Sequence, residues 1–354
     1  MLMGEYAVTQ TGHPGIVAAV DRYVTAVVEP AERYHLELPT LETTITTADW
    51  PSLLVRLRED ARLTLVLRVM VLIHRYVREA GQRLAPFRVT VTNTEMQTPT
   101  GIKYGLGSSA AISVAISAAL LGLCLGRDPS RDTVFKFAAT AHAWAQGGGS
   151  GADVAACTFG GVILYWRYDA DWLRSRFHEE PLHHVMDRRW PELRIESLPT
   201  ALLPSWFVGW TGQAVSTPSL LRRMQAFRQR EPKAFSHFLD QSDRSVGLFV
   251  DAIRSGHHSK LLEAIRANRQ ALRYLADIGN LSIETNVMTW ALDAVEQLGG
   301  AGKSSGAGGG DVILAWLRGG AGQPLGDVWR GCGIENMDVS HDEKGVVYMN
   351  SADL

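Results

Sequence analysis

Residues 105–111 of this chain read GLGSSAA, and a run of small and apolar residues, 112–125 (ISVAISAALLGLCL), follows at once. Glycine lets the main chain approach an anion closely, and consecutive N–H groups in such a turn form a concave anion site. The apolar run predicts a buried helix, whose N-terminal end favours negative charge. The sequence therefore predicts that a phosphate group binds where this loop enters its helix. A tight turn into a core helix, without a ligand, is the alternative.

A second glycine-rich stretch lies about two hundred positions further on, at 303–311 (KSSGAGGGD). It runs directly into the apolar residues 312–316 (VILAW), which is unusual for a flexible linker. The chain has 35 Lys+Arg but only six lysines, and two of these, Lys103 and Lys303, adjoin the two loops. Because a compact ammonium suits a phosphate oxygen as a point charge, we interpret both loops as parts of one polyphosphate site.

Two familiar nucleotide-binding signatures are excluded. A Walker A loop needs a glycine five places before Gly302, where this chain has Gln297. A dinucleotide fingerprint that starts at Gly105 needs a third glycine at the position of Ala110. The phosphate site therefore has another architecture.

Size and composition limit the class of protein. At 354 residues and 46% hydrophobic, the chain is long enough for two domains and a sizeable core. Its net charge of −2 predicts neither nucleic acid nor an anionic membrane as a partner. No signal peptide is visible, the apolar stretch 110–125 is expected to be too short to span a bilayer, and the three cysteines are widely spaced. We expect a soluble cytoplasmic protein with reduced thiols.

Hydrophobic periodicity divides the chain into interleaved strands and helices, which predicts an α+β or α/β fold. The predicted strands are 15–29, 34–38, 86–94, 161–166, 205–210, 311–317 and 346–350. The predicted helices are 51–80, 105–125, 132–146, 218–230, 234–255, 258–277 and 282–298. We expect irregular structure over 167–192 and place a domain junction there.

Asp153 follows a third glycine turn, 147–151 (GGGSG), and precedes apolar residues. On its own, such an acid is either a helix cap or a charge directed into a site. With two phosphate loops elsewhere in the chain, catalysis or metal positioning is the stronger interpretation. Ser150 and Gly151 would then supply hydrogen bonds to an acceptor.

Three further segments carry weaker signals. Glu5 and Tyr6 are uninformative by themselves. Trp210 and Thr211 end a strand in a hydroxyl-rich turn, where helix capping and substrate contact both stay open. The residues 341–343 (HDE) are expected to form a solvated turn rather than a metal site.

Four segments together, 4–8 (GEYAV), 105–109 (GLGSS), 149–153 (GSGAD) and 303–311 (KSSGAGGGD), resemble the GHMP small-molecule kinases. Within that superfamily the chain is similar to the phosphomevalonate kinases. The similarity extends from the first of these segments to about residue 345, and the motifs are specific in combination.

The resemblance implies a two-domain α+β architecture with the active site in the cleft between the domains. The N-terminal domain would be ribosomal protein S5 domain 2-like, would bind ATP and would cover 1–186. The C-terminal domain would be ferredoxin-like and would cover 187–354.

The resemblance also implies the chemistry and the residues that perform it. The γ-phosphoryl group of ATP would pass, with Mg²⁺, to the phosphate of (R)-5-phosphomevalonate, a step of the mevalonate pathway of isoprenoid biosynthesis. The residues expected to bind the ATP phosphates are Gly105, Leu106, Gly107, Ser108, Ser109 and Ala110, of which Ser109 is the expected Mg²⁺ ligand. The expected catalytic residues are Asp153, Lys303 and Lys103. The expected substrate-binding residues are Glu5, Tyr6, Ser150, Gly151, Trp210, Thr211, Ser304, Ser305, Gly306, Ala307 and Gly308.

The chain departs from the family pattern at one place. The family has a strand with Gly-Lys-Leu-Tyr before Gly-Glu-Tyr, whereas this sequence opens MLMGEY. We expect a truncated or mis-assigned start, or another cation in place of that lysine. The alternative functions are a GHMP kinase with a hydroxyl acceptor, such as a mevalonate or sugar kinase, and an ATP-binding homologue with weak or no turnover. A homodimer is one candidate for the oligomeric state.

Overall fold

The computed structural model describes residues 1–213, 217–317 and 322–349, and both strands and helices run through all three ranges. The strands are β1 Pro14–Ala18, β2 Thr25–Pro30, β3 Tyr34–Leu38, β4 Thr43–Thr47, β5 Phe87–Thr92, β6 Val162–Trp166, β7 Arg194–Leu198, β8 Trp206–Trp210, β9 Ala301–Ser304, β10 Val312–Trp316 and β11 Glu335–Met337. The helices are α1 Trp50–Glu59, α2 Thr64–Glu79, α3 Ser108–Leu125, α4 Arg131–Gln146, α5 Ala152–Phe159, α6 Ala170–Glu179, α7 Leu182–Asp187, α8 Thr217–Arg230, α9 Pro232–Ser255, α10 His258–Gly279, α11 Asn286–Gln297 and α12 Gly322–Gly331.

The C-terminal half is built on a four-stranded antiparallel sheet in the order β11-β8-β10-β9. Helices α8 to α11 connect β8 to β9, and α12 connects β10 to β11. This is the βαββαβ order of the ferredoxin-like motif, with extra helices in the first connection. The ferredoxin-like prediction is therefore confirmed.

The N-terminal half has two sheets, β2-β5-β3-β4 and β1-β6-β7. Helix α3 contacts β2, α2, α4 and α5. A single hydrophobic cluster joins the two halves, because Ile16 and Leu164 of the β1-β6-β7 sheet pack in one core with Val208 and Leu314 of the C-terminal sheet. Backbone pairing of β6 with β7 extends to Leu198, and the domain boundary at 186/187 stays a prediction.

Two long predicted elements are each divided in the structure. The single strand over 15–29 is wrong because the chain between β1 and β2 pairs elsewhere: Val20 forms a β-bridge with His341. The continuous helix over 51–80 is also wrong. The Asp60 carboxylate accepts a hydrogen bond from the Arg62 N–H at 2.9 Å and caps a short 3₁₀ turn, which separates α1 from α2.

The irregular segment predicted over 167–192 contains two helices, α6 and α7, so that prediction is wrong. Asp169 caps α6 by accepting hydrogen bonds from the N–H groups of Asp171 and Trp172 at 3.0 and 2.9 Å. Leu173 and Phe177 on its inner side are buried, while its charged residues face solvent, which obscured the helical pattern. The strand predicted over 346–350 is not observed among residues 346–349, and Asn350 lies outside the described residues.

Helix α3 is, by length and composition, apolar enough to cross a membrane, contrary to the expectation for 110–125. One side of it packs against β2, α2, α4 and α5 in the N-terminal half, and Ala110, Ile116 and Leu120 are fully buried. These contacts are those of a core helix. Its N-terminal end, at Ser108, opens into the functional site.

Candidate active site

The first glycine loop reaches α3 through two residues in the left-handed region. Gly105 has φ 79° and Gly107, the N-cap residue of α3, has φ 87°. A side chain is strained at both positions, which explains the choice of glycine. No side chain caps the helix, so its first N–H groups are directed toward the cavity in front of it.

The two glycine loops meet in space. A Cβ atom added to Gly105 would lie 2.6 Å from Cβ of Asp311, at the end of the second loop. Leu106 and Gly306 line one cavity of about 1020 Å³. The hypothesis that both loops serve a single site passes this geometric test, since loops on opposite faces of the molecule would have excluded it.

The same cavity brings together most of the predicted site residues. Those that line it are Glu5, Tyr6, Lys103, Gly105, Leu106, Gly107, Ser108, Ser109, Ser150, Asp153, Ser305, Gly306 and Ala307. The predicted residues outside its lining are Ala110, Gly151, Trp210, Thr211, Lys303, Ser304 and Gly308. Any contribution of the second group to the site is therefore made through the residues that line the cavity.

Asp153 lies in the first turn of α5, whose N-cap is Gly151 with φ 81°. One of its carboxylate oxygens accepts a hydrogen bond from the N–H of Val154 at 3.0 Å. The other lies 3.9 Å from Nε2 of His142, beyond hydrogen-bonding distance. The carboxylate side chain is 42% exposed, so it faces the cavity with free acceptor capacity.

Ser150 is already engaged by the protein. Its Oγ accepts a hydrogen bond from the N–H of Ala152 at 3.2 Å, and its carbonyl oxygen accepts one from the Tyr165 hydroxyl at 2.7 Å. Burial raises the pKa of Tyr165 far above its usual range, which keeps this phenol a donor. The hydrogen bond from the buried Tyr165 thereby fixes the turn before Asp153.

Lys303 projects from β9 into the protein interior and forms an ion pair with Glu5. Its ammonium also donates to the carbonyl oxygen of Ser304 at 2.6 Å. Both side chains are almost fully buried, at 0% and 1% exposure. Burial lowers the pKa of Lys303 and the adjacent Glu5 opposes that shift. Lys303 therefore lies behind the cavity wall, paired with Glu5, whereas Lys103 is exposed and lines the cavity itself.

The second oxygen of Glu5 has no hydrogen-bond partner among the described residues, although it is buried. The neighbouring Tyr6 has φ 63°, and its hydroxyl donates to the carbonyl oxygen of Ala307 at 2.5 Å. Burial raises the pKa of Tyr6. The segment that carries Glu5 is thus fastened to the second glycine loop at two points, Lys303 and Ala307.

The second glycine loop is positioned by contacts on its outer side. A Cβ atom on Gly308 would lie 2.4 Å from the carbonyl oxygen of Ile283, and the N–H of Gly309 donates to that same oxygen at 2.7 Å. Thr211 holds the far end, since its N–H and its hydroxyl both donate to the carbonyl oxygen of Asp311, at 2.9 and 3.0 Å. Gly308 and Thr211 therefore shape the loop without lining the cavity.

Sequence reasoning missed several residues of the cavity. His142 and Gln146, on the last turn of α4, line it and contact Ser109. A polar pair at i and i+4 that ends a largely apolar helix is the signal that could have identified them. Arg22 and Lys344 add positive charge to the lining.

In the segment expected to form a solvated turn, His341 and Glu343 are exposed, whereas Asp342 is half-buried. Its carboxylate accepts a hydrogen bond from the Tyr23 hydroxyl at 2.5 Å and also lines the cavity. That hydrogen bond raises the pKa of Tyr23 to about 12. The C-terminal segment thus crosses back onto the N-terminal half, where the carbonyl oxygen of Ala19 accepts a hydrogen bond from the N–H of Asp342 at 3.1 Å. No sequence pattern marks this crossing.

Comparison with known families agrees with this geometry. The GHMP kinases N terminal domain matches residues 64–161, and the GHMP kinases C terminal domain matches residues 249–330. The chain belongs to the GHMP kinase family. In this GHMP kinase the first glycine loop and Asp153 fall in the first matched range, and the second glycine loop falls in the other.

Individual relatives extend over nearly the whole chain. A phosphomevalonate kinase of Streptomyces sp. (strain CL190) is 31% identical over 97% of this chain and 95% of its own length. A mevalonate kinase of Archaeoglobus fulgidus is 28% identical over 70% of this chain and 73% of its own length.

Among solved structures, the Lin0012 protein from Listeria innocua is similar with a TM-score of 0.86 and 32% identity, over 96% of this chain and 94% of that one. The phosphomevalonate kinase of Streptococcus pneumoniae in complex with phosphomevalonate and AMPPNP has a TM-score of 0.82 and 23% identity, over 96% of both chains. At that identity the second likeness concerns the fold alone.

Proposed function

We propose that this GHMP kinase is a phosphomevalonate kinase, which transfers the γ-phosphoryl group of ATP to (R)-5-phosphomevalonate and releases ADP and (R)-5-diphosphomevalonate. The observation that carries the kinase activity is the convergence of both glycine loops and Asp153 on one cavity. The near full-length similarity to the Streptomyces phosphomevalonate kinase supports the choice of acceptor.

The triphosphate of ATP would lie against the loop at 105–109 and the N-terminal end of α3. There, unpaired N–H groups and the helix dipole stabilise negative charge. Lys103 would supply the mobile positive charge at the reacting phosphates, since it is exposed within the cavity. We assign Lys303 a positioning role, because its ammonium is already bonded to Glu5 and lies outside the cavity lining.

The residues present fit a magnesium ion that is held mainly by its nucleotide. No group of three or more His, Cys, Asp or Glu side chains that could hold a metal occurs among the described residues. Mg²⁺ commonly binds one or two protein oxygens and otherwise phosphates and water. Ser109 and Asp153 would be those protein ligands, and the ion would neutralise charge on the transferring phosphoryl group.

The acceptor would bind toward Tyr6, Ser305 and Ala307, where the N-terminal segment is hydrogen-bonded to the second glycine loop. A phosphate acceptor is mostly ionised at pH 7, since its second pKa is about 6. A strong general base is therefore dispensable, and positioning with charge neutralisation dominates. Asp153 would orient the acceptor or hold the metal rather than remove a proton.

A coupled assay of ADP release tests the substrate. We expect turnover with phosphomevalonate and none above background with mevalonate or galactose, and ³¹P NMR of the product should show a diphosphate. Turnover with a hydroxyl acceptor only would favour the mevalonate or sugar kinase alternative. ATP binding without turnover on any acceptor would refute the proposal.

Substitution of Asp153 by asparagine tests its role. We expect kcat to fall by about a hundredfold, since the variant keeps the shape of the side chain but loses the charge that orients the reactants. A fall of less than about tenfold would count against a central role for this carboxylate. Circular dichroism of the variant should match that of the unchanged protein.

We also propose a cytoplasmic location. All three cysteines, Cys124, Cys157 and Cys332, are free, as is typical of a reducing compartment. Light scattering at assay concentrations would determine whether the enzyme is the homodimer considered from its sequence.

A further inference from the structure

His142 and Ser109 both line the cavity, and Nε2 of His142 lies 3.0 Å from Oγ of Ser109. The histidine is only 3% exposed. The side-chain nitrogen of Gln146, one helical turn later, lies 3.0 Å from the same Nε2 and 3.2 Å from the same Oγ. Three polar atoms therefore form a closed triangle at the start of α3.

With the amide nitrogen of Gln146 at this corner, each of the three contacts has one favourable hydrogen-bond direction. An amide nitrogen only donates, so Gln146 donates to Oγ of Ser109 at 3.2 Å and turns N–H toward Nε2 of His142 at 3.0 Å, where a second N–H donor would be repelled. Nε2 is then an acceptor, and the imidazole proton resides on Nδ1. The Ser109 hydroxyl donates its own proton to Nε2 at 3.0 Å, so the single lone pair of Nε2 is shared between this hydroxyl and the Gln146 amide.

The position of Asp153 agrees with this direction. A protonated Nε2 would attract the carboxylate into a hydrogen bond, yet the two atoms stay 3.9 Å apart. Nε2 therefore lies close to two hydrogen-bond donors, the Ser109 hydroxyl and the Gln146 amide, and is too far from the Asp153 carboxylate to bond to it. These distances agree with an unprotonated Nε2 that accepts hydrogen bonds.

From this geometry we propose that His142 is a positioning residue that determines what Ser109 can bind. Because Ser109 gives its proton to His142 and accepts one hydrogen bond from Gln146, its remaining lone pair is what it presents to the cavity. A hydroxyl in that state is a ligand for a cation and not a donor to a phosphate oxygen. His142 therefore directs Ser109 toward the divalent cation of the nucleotide complex.

This inference rests on the proposed function for the identity of the cation, but its first test does not need turnover. Isothermal titration with AMPPNP is performed with Mg²⁺ and again with EDTA. We expect His142→Leu to reduce the gain in affinity from Mg²⁺ by about tenfold, as is usual when the partner of a metal ligand is lost. The metal-free affinity should not fall, because the Ser109 hydroxyl is then free to donate to a phosphate oxygen. An equal loss in both conditions would overturn the proposal.

A conservative variant separates positioning from packing. His142→Gln places an amide oxygen near the position of Nε2, so it should restore most of the Mg²⁺ dependence that His142→Leu loses. If both variants are equally weak, the acceptor atom is not what matters and the proposal fails. His35→Leu is the matched control, since His35 also bonds a hydroxyl, Thr46 Oγ1 at 2.8 Å, but lies outside the cavity lining.

Kinetics with phosphomevalonate give the second test. If His142 acts through Ser109, then kcat of the His142→Leu/Ser109→Ala double variant should equal that of Ser109→Ala within about twofold. A further tenfold fall in the double variant would show an independent role and overturn the proposal. Absence of turnover in the unchanged protein would refute the proposed function, while the titration with AMPPNP would still decide the role of His142.

A third measurement uses the unchanged protein and so does not depend on the folding of a variant. ¹⁵N NMR of histidine-labelled protein reports which ring nitrogen carries the proton, and the signal of His142 is assigned by its loss in His142→Gln. We expect a protonated Nδ1 and an unprotonated Nε2. A protonated Nε2 would reverse the direction of the hydrogen bond and sink the inference.

Discussion

Replacement of Lys303 by methionine distinguishes a structural role for this residue from a catalytic one. Methionine keeps the length of the stem and removes the charge. It leaves the Glu5 side chain buried at 1% exposure with no hydrogen-bond partner for either carboxylate oxygen among the described residues, because its second oxygen already lacks one. Loss of one member of a buried pair costs about 3–5 kcal/mol. That is a large part of the 5–15 kcal/mol by which folded proteins are typically stable.

The second partner gives the coupling free energy. In the Glu5→Gln/Lys303→Met double variant both charges are gone, so much of the penalty of the single variants should disappear. We expect a coupling free energy of about 2–3 kcal/mol from urea unfolding followed by tryptophan fluorescence. A cost below about 1 kcal/mol for Lys303→Met would refute the reasoning, since it would mean that the carboxylate is not buried and unpaired.

The chain provides a matched control in Lys136, which is also buried. Its ammonium donates to the carbonyl oxygens of Met186 and Arg188, each at 3.0 Å, and pairs with Asp132 at 2.5 Å. Asp132 is 59% exposed, so water solvates its carboxylate once the lysine is lost. The coupling between Lys136→Met and Asp132→Asn should therefore stay below about 1 kcal/mol.

Kinetics of the same variants then decide the role of Lys303. If its charge serves only to hold Glu5, kcat of the double variant should lie within about tenfold of kcat for Glu5→Gln alone. A further fall in kcat of about a thousandfold in a folded protein would show that Lys303 acts directly on the reacting phosphates, because removal of a transition-state cation has effects of that size.

Three further predictions follow from the close contacts and pKa shifts. Gly105→Ala should destabilise the protein by about 3 kcal/mol and Gly107→Ala by only about 1, measured by urea unfolding, because both have positive φ but only Gly105 meets Asp311. Burial raises the pKa of Glu284, but hydrogen bonds from two arginines outweigh it and the net pKa is lowered, so its contribution is present above the unfolded value and lost at acid pH. The cost of Glu284→Gln should be about 3 kcal/mol at pH 7 and shrink below about pH 4.5 in acid-dependent unfolding. Burial raises the pKa of Cys157 to about 12, so mass spectrometry should find it unmodified by iodoacetamide at pH 8 in the folded protein and modified in urea.

The sequence predicted what depends on neighbouring residues. The GLGSS loop, the start of α3 and the turn before Asp153 follow from glycines with positive φ beside an apolar run, and these local rules held. The same rules failed where the backbone pairs with a segment that is distant in the sequence. The chain after β1 does not continue as one strand into β2, because Val20 forms a β-bridge with His341. No local sequence pattern predicts this bridge.

The site shows the same division. Residue types identified the loops, yet the partner of Lys303 lies 298 positions away, at Glu5, and is set by how β9 meets the N-terminal segment. The sequence indicated a lysine beside a phosphate loop and implied direct contact. The fold instead places its charge behind the wall and leaves Lys103 exposed in the cavity.

The division between wall and lining also explains why several of the predicted site residues lie near the cavity without lining it. A loop that binds phosphate through its N–H groups must be rigid, because each amide has to be preorganised toward an anion that water would otherwise solvate. Gly308, Thr211 and Lys303 supply that rigidity from the outer side, through Ile283, Asp311 and Glu5 respectively. Substitutions in this outer layer should thus weaken nucleotide binding by loosening the loop, and their effects should track the loss of local stability rather than the loss of any contact with the ligand.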